Sequence, residues 1–161
     1  MRIFSIVGWS GNGKTMLITR LIQDFKAKGR RVIAVKSTHG AYDLQPAGKD
    51  TARFLQAGAE EAYLLTDKEM LRMTTLASPD ALLAELEARL APDDIVLLEG
   101  LTRPGIPVIE VEDPEKKKPL KTRPEALAAV VGSGKTGIGG KAVFHAGDIA
   151  AIGRFMEETH G

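Results

Sequence analysis

The sequence predicts a three-layer α/β/α sandwich built on a mostly parallel sheet, and three observations predict it. Segments of strand and helix character alternate along the 161 residues. The strand candidates are short unbroken apolar runs, such as Ile95-Val96-Leu97-Leu98, rather than the in–out alternation of a sheet wetted on one face. Residues 8–15 read Gly8-Trp9-Ser10-Gly11-Asn12-Gly13-Lys14-Thr15, a full match to the phosphate-loop pattern G-x-x-x-x-G-K-[ST], set between a strand and a helix. Together they predict a P-loop NTPase fold with right-handed crossovers, in one nucleotide-binding domain over residues 1–161.

Arg2-Ile3-Phe4-Ser5-Ile6-Val7 is a buried strand leading into the loop. The helix behind it carries Leu17, Ile18, Leu21, Ile22 and Phe25 on one face, with Lys26 and Lys28 in its last turn and Gly29 at its C-cap. Arg31 to Lys36 is the second strand, residues 48–57 a helix stopped by Gly58, and Ala62 to Leu65 a third strand. Ser78 and Pro79 supply an N-cap and a first helical residue for a helix whose face is Leu82, Leu83, Leu86 and Leu90. Ile95 to Gly100, Val108 to Val111 and Ala126 to Val131 are further strands, and a last helix begins at Asp148 with Ile149, Ile152 and Met156 inward.

Formal net charge is +1, so no global field argues for nucleic acid or a membrane surface. The absence of cysteine excludes disulfides, thiolate metal sites and thiol nucleophiles. The N-terminus enters a core strand at once, and no apolar run approaches the ~18 residues of a membrane span. The expectation is a cytoplasmic protein that engages neither nucleic acid nor membrane.

Glycines 8, 11 and 13 let the backbone curl and turn its N–H groups toward one point, at the positive end of the following helix. The loop from Gly8 through Ser10, Gly11, Asn12, Gly13, Lys14 and Thr15 to Met16 is the expected nucleoside triphosphate site. Lys14 reaches the β- and γ-phosphates, and the Thr15 hydroxyl is suited to Mg²⁺. Glu99 closes an apolar strand and precedes Gly100. A carboxylate there suits Mg²⁺, held directly or through water, and the glycine admits the γ-phosphate; the bland alternative is a solvent-facing strand-end acid. Lys14 and Glu99 are the candidate catalytic residues, and Thr15 and Glu99 the candidate metal ligands.

Other candidates carry open alternatives. His39 and Asp43, four apart after the second strand, suit metal or water handling near the γ-phosphate, contact with a second ligand, or a plain structural role. Lys49 and Arg53 share a helix face beside Asp50, suiting an anion or merely a solvated surface. Gly132-Ser133-Gly134-Lys135-Thr136 imitates a second phosphate loop but has Ala129 where the motif needs glycine, so a flexible loop after a strand is expected instead, with contact to the nucleotide base or ribose an open alternative. The charged stretch from Glu112 to Pro119 reads as a solvated loop or hairpin connection, with a docking surface for an acidic partner as the lesser alternative.

The combination resembles the molybdopterin-guanine dinucleotide biosynthesis protein B family over most of residues 2–111. The likeness rests on Val7 to Thr15, Lys36, Thr38-His39, the Asp43 and Gly48-Lys49-Asp50 segment, Ala57-Gly58-Ala59 and Glu99-Gly100. The chain departs from the family pattern at Ser37 and Gly40, at Ala47, and at Leu101-Thr102. The resemblance implies a GTP-binding accessory protein, usually dimeric, assisting the separate nucleotidyltransferase that attaches GMP to molybdopterin, with molybdopterin a candidate second ligand. It implies nucleotide or second-ligand contacts at His39, Asp43, Lys49, Asp50 and Gly100. Guanine preference comes from the resemblance alone.

Such an adapter is at most a slow Mg²⁺-dependent GTPase, since unassisted sites turn over at roughly 10⁻⁴ to 10⁻² s⁻¹. Two other classes use the same loop. A small-molecule kinase using ATP would need an acceptor base, for which Asp43 or Asp50 would serve, and an arginine-bearing lid, where residues 67–75 offer Arg72 alone. A metal-cofactor maturation GTPase is weakened by the absence of cysteine and of any His-rich tract.

Overall fold

The computed structural model describes residues 1–38, 49–74, 78–113, 115, 118–132 and 140–159, with the backbone alone for residues 49 and 50. The chain forms two compact units, Met1–Ser37 with Leu90–Gly161, and Thr38–Arg89.

The first unit is built on a six-stranded sheet. Its strands are β1 (Arg2–Gly8), β2 (Val32–Lys36), β5 (Ile95–Glu99), β6 (Val108–Val111), β7 (Leu127–Gly132) and β8 (Ala142–His145), in spatial order β2-β5-β1-β6-β7-β8. Every neighbouring pair is parallel. The apolar runs explain this: Ile95 to Leu98 and Phe4 to Val7 are buried at consecutive positions, as strands covered on both faces require. Helices α1 (Lys14–Ala27) and α4 (Ile149–Glu158) pack against each other and share one core with Phe4, Ile6, Leu97 and Ile109. Leu17, Ile18, Leu21 and Phe25 face that core, with Ile22 at its edge, and Ile152 and Met156 meet them from α4. Gly29, at φ 75°, closes α1 in the left-handed conformation, and the Arg30 N–H donates back to the Phe25 carbonyl. Val7, Val108, Leu127 and Val130 form a second apolar cluster, against which Leu120 packs.

The second unit holds α2 (Lys49–Gln56), β3 (Glu61–Leu65), β4 (Met70–Thr74) and α3 (Pro79–Arg89). Ser78 caps α3 as its sequence predicts, accepting the Ala81 N–H. The third strand needs correction. It exists, but it pairs antiparallel with β4 in a two-stranded hairpin, Leu65 opposite Met70, and is not part of the parallel sheet. The reason lies in its burial: only Ala62 is buried along β3, where a central parallel strand would be buried throughout. Neither β4 nor β8 was anticipated. Among the described residues no helix is long and apolar enough to cross a membrane.

Candidate nucleotide-binding site

The phosphate loop runs from the end of β1 into α1. Gly8 (φ 142°) lies opposite Val111 on β6, where a Cβ would stand 2.5 Å from the Val111 carbonyl oxygen, so only glycine fits. Gly13 caps α1 in the left-handed conformation (φ 81°, ψ 14°) and brings no side chain to its N-terminus. The first-turn N–H groups and the positive helix end are thereby presented to the loop's concavity. Asn12 braces the loop from the side, its amide donating to the Val111 carbonyl at 3.4 Å. This cradle fits a polyphosphate.

β5 lies beside β1 with Glu99 opposite Ile6, which carries its carboxylate to the start of α1. The Thr15 hydroxyl lies 3.1 Å from both Glu99 carboxylate oxygens and donates to them. Two adjacent oxygens on an octahedral Mg²⁺ at 2.0–2.1 Å would stand about 2.9 Å apart, so the pair fits the ion's demands with little adjustment. Lys36, at the end of β2, approaches Glu99 at 3.6 Å. Gly100 is left-handed (φ 76°), its N–H donating to the Ile6 carbonyl, and a Cβ there would press on the Ser37 carbonyl oxygen at 3.2 Å.

The Lys14 ammonium donates to the Trp9 carbonyl at 2.7 Å. Burial lowers its pKa, the Glu99 carboxylate opposes that, and the charges of Lys121 and Lys36 lower it further. Lys14, Thr15, Glu99 and Gly100 are thus brought together as their sequence positions predict. Ser10 and Met16 are exposed on the loop and the first turn of α1. His39 and Asp43 lie outside the described residues, as do the side chains of Lys49 and Asp50 and residues 133–136 of the glycine-rich segment.

Three features of the site were not anticipated. The Trp9 indole N–H donates to the Pro119 carbonyl at 2.8 Å, and the ammonium groups of Lys118 and Lys121 lie 5.1 and 4.1 Å from its ring centroid. The segment read as a solvated connection therefore docks, at its C-terminal end, on the phosphate loop. Glu110 is fully buried and accepts the Lys121 and Thr122 N–H groups at 2.6 and 2.8 Å. Beyond Gly8 and Gly100 lies a cavity of about 770 Å³ that also touches Arg103, Lys121, Thr122 and Glu125.

Residues 3–136 match the family described as "Molybdopterin guanine dinucleotide synthesis protein B". The molybdopterin-guanine dinucleotide biosynthesis adapter protein of Haemophilus influenzae is 34% identical over 131 residues, covering 80% of this chain and 72% of its own. That of Escherichia coli is 32% identical over 101 residues, covering 61% of this chain and 58% of its own. Among solved structures, Bacillus subtilis MobB superposes with a TM-score of 0.75 at 26% identity, covering 100% of this chain and 99% of the other. A MobB homolog from Bacillus stearothermophilus, at 20% identity, shares the fold with a TM-score of 0.64, covering 99% of this chain and 100% of its own. The family match over residues 3–136 and the 34% identity with the Haemophilus influenzae protein establish it: the chain belongs to the molybdopterin guanine dinucleotide synthesis protein B family.

Proposed function

We propose that this protein is a GTP-binding adapter of molybdopterin guanine dinucleotide biosynthesis, acting in the cytoplasm as a homodimer. Its partner in this reading is the nucleotidyltransferase that attaches GMP to molybdopterin. The observation that carries the nucleotide half is the Thr15–Glu99 contact at the mouth of a glycine cradle. Family membership, and the adapter name its relatives bear, support the biosynthetic half.

In this reading the loop N–H groups and the Gly13-capped helix end hold the phosphates, and Lys14 turns from the Trp9 carbonyl to the β- and γ-phosphates. Thr15 and Glu99 hold Mg²⁺, which neutralises phosphate charge when bound. Gly100 leaves room for the terminal phosphate. His39, Asp43, Lys49 and Asp50 contact the nucleotide or molybdopterin. Intrinsic GTP hydrolysis is slow, as suits an adapter.

The test is a parallel calorimetric titration of GTP and ATP, with and without Mg²⁺. A clear, Mg²⁺-dependent preference for GTP is the expected result, followed by co-purification with the nucleotidyltransferase. Equal or tighter ATP binding would sink the GTP assignment and move attention to a small-molecule kinase.

A further inference from the structure

After β6 the chain returns to the phosphate loop at Pro119 and is tied down there by its backbone. The Pro119 carbonyl accepts the Trp9 indole N–H at 2.8 Å. The Glu110 carboxylate, fully buried, accepts the N–H groups of Lys121 and Thr122 at 2.6 and 2.8 Å. The backbone of Lys121 is thus held from both sides while its side chain stays exposed. Its ammonium rests over the Trp9 ring, 4.1 Å from the centroid. That attraction is weak at an exposed ring, so an arriving anion can overcome it.

Trp9 is the second residue of the phosphate loop, and two cations meet on it. Its carbonyl accepts the Lys14 ammonium at 2.7 Å, and its ring carries Lys121. Among the described residues, the charges that act on Lys14 are those of Glu99, Lys121 and Lys36. Lys118 lies 5.1 Å from the same ring and is not one of them. Two like charges gathered at one loop repel each other until a polyanion arrives, and then both are attracted to it. Each further phosphate adds negative charge, so a cation fixed at the loop favours a longer phosphate chain over a shorter one.

We propose that Lys121, held over Trp9 at the rim of the phosphate loop, is a further phosphate-binding cation that makes the site select a nucleoside triphosphate over the diphosphate. The proposal rests on the reading of Gly8 to Thr15 as the nucleotide site. Lys14 supplies the charge within the loop, and Lys121 supplies a second charge from outside the motif. The Glu110 and Pro119 ties set the backbone from which that second charge is presented.

The test is calorimetric titration of GTP and of GDP, with Mg²⁺, into the full chain and three variants. Lys121→Met keeps an unbranched side chain over Trp9 but removes the charge. It should weaken GTP about fivefold and GDP about twofold or less. The loss should shrink as salt is raised, because an exposed charge is screened. Lys121→Arg restores the charge and should restore most of the preference. Lys118→Met should leave the ratio of the two affinities near that of the wild type. The proposal is overturned by unchanged GTP affinity in Lys121→Met, or by equal weakening of GTP and GDP, which marks a clip that merely shapes the loop. An equal effect of Lys118→Met overturns it too. Wild-type protein that binds neither nucleotide would overturn this proposal together with the nucleotide reading, whereas wild-type binding with a Lys121-independent ratio would overturn this proposal alone.

Discussion

Thr15 and Glu99 stand 84 positions apart in the chain, yet the threonine hydroxyl sits 3.1 Å from both carboxylate oxygens of the glutamate. The parallel pairing of β1 with β5 enforces this, since Ile6 opposite Glu99 fixes how far each strand extends toward the rim. If the pair holds Mg²⁺, Thr15→Ala and Glu99→Gln should both erase the gain in GTP affinity that Mg²⁺ confers. Metal-free affinity should change little. Thr15→Ser, which keeps the hydroxyl, should restore most of the gain, and calorimetric titrations with and without the ion measure all three.

Lys14→Ala should weaken nucleotide binding by about tenfold to a hundredfold, the range for losing a charge-assisted hydrogen bond. The thermal midpoint should hardly move, because Lys14 is only half-buried. Equal affinities in the two proteins would remove the phosphate role of Lys14.

The same lysine predicts a pH dependence. Burial, with Lys121 and Lys36, holds its pKa below the ordinary lysine value. Phosphate binding needs the ammonium form, so affinity is full below that lowered pKa and declines as pH rises through it, earlier than an ordinary lysine would allow. Lys36→Met removes one of the depressing charges and should move the decline to higher pH. A pH series of dissociation constants for the two proteins checks the direction.

Gly8→Ala should destabilise the protein by about 2–4 kcal/mol, because the new Cβ meets the Val111 carbonyl oxygen at a left-handed φ. That contact cannot relax without parting β1 from β6, which pair Gly8 with Val111. Denaturant unfolding measures the loss, and wild-type stability in this variant would show that the loop is held elsewhere.

Glu110→Ala should cost about 2–4 kcal/mol, leaving the Lys121 and Thr122 N–H groups without their buried acceptor. Glu110→Gln retains one acceptor oxygen and should fall between. Hydrogen exchange at those two amides is the direct readout, with fast exchange expected in the alanine variant.

What was legible in the sequence was local, or carried by a strong pattern. Lys14 and Thr15 are placed by eight consecutive residues, and Glu99 by an apolar run that ends in an acid and a glycine. The β3–β4 hairpin was not legible because its turn contains no glycine or proline. Thr66 does the work with its side chain, accepting the Lys68 and Glu69 N–H groups. Glu110 looked like one polar position in Val108-Ile109-Glu110-Val111, and nothing local says that its partners arrive from the next connection. The Trp9–Pro119 bond spans 110 positions, a distance no periodicity reports.

Trp9 is the only tryptophan in the chain. Its indole therefore gives the phosphate loop an optical label that no other part of the molecule shares. An ammonium drawn away from the ring, or a carbonyl released from the indole N–H, changes the surroundings of that single chromophore. Events at the loop can be timed in the unmodified protein from its own emitted light.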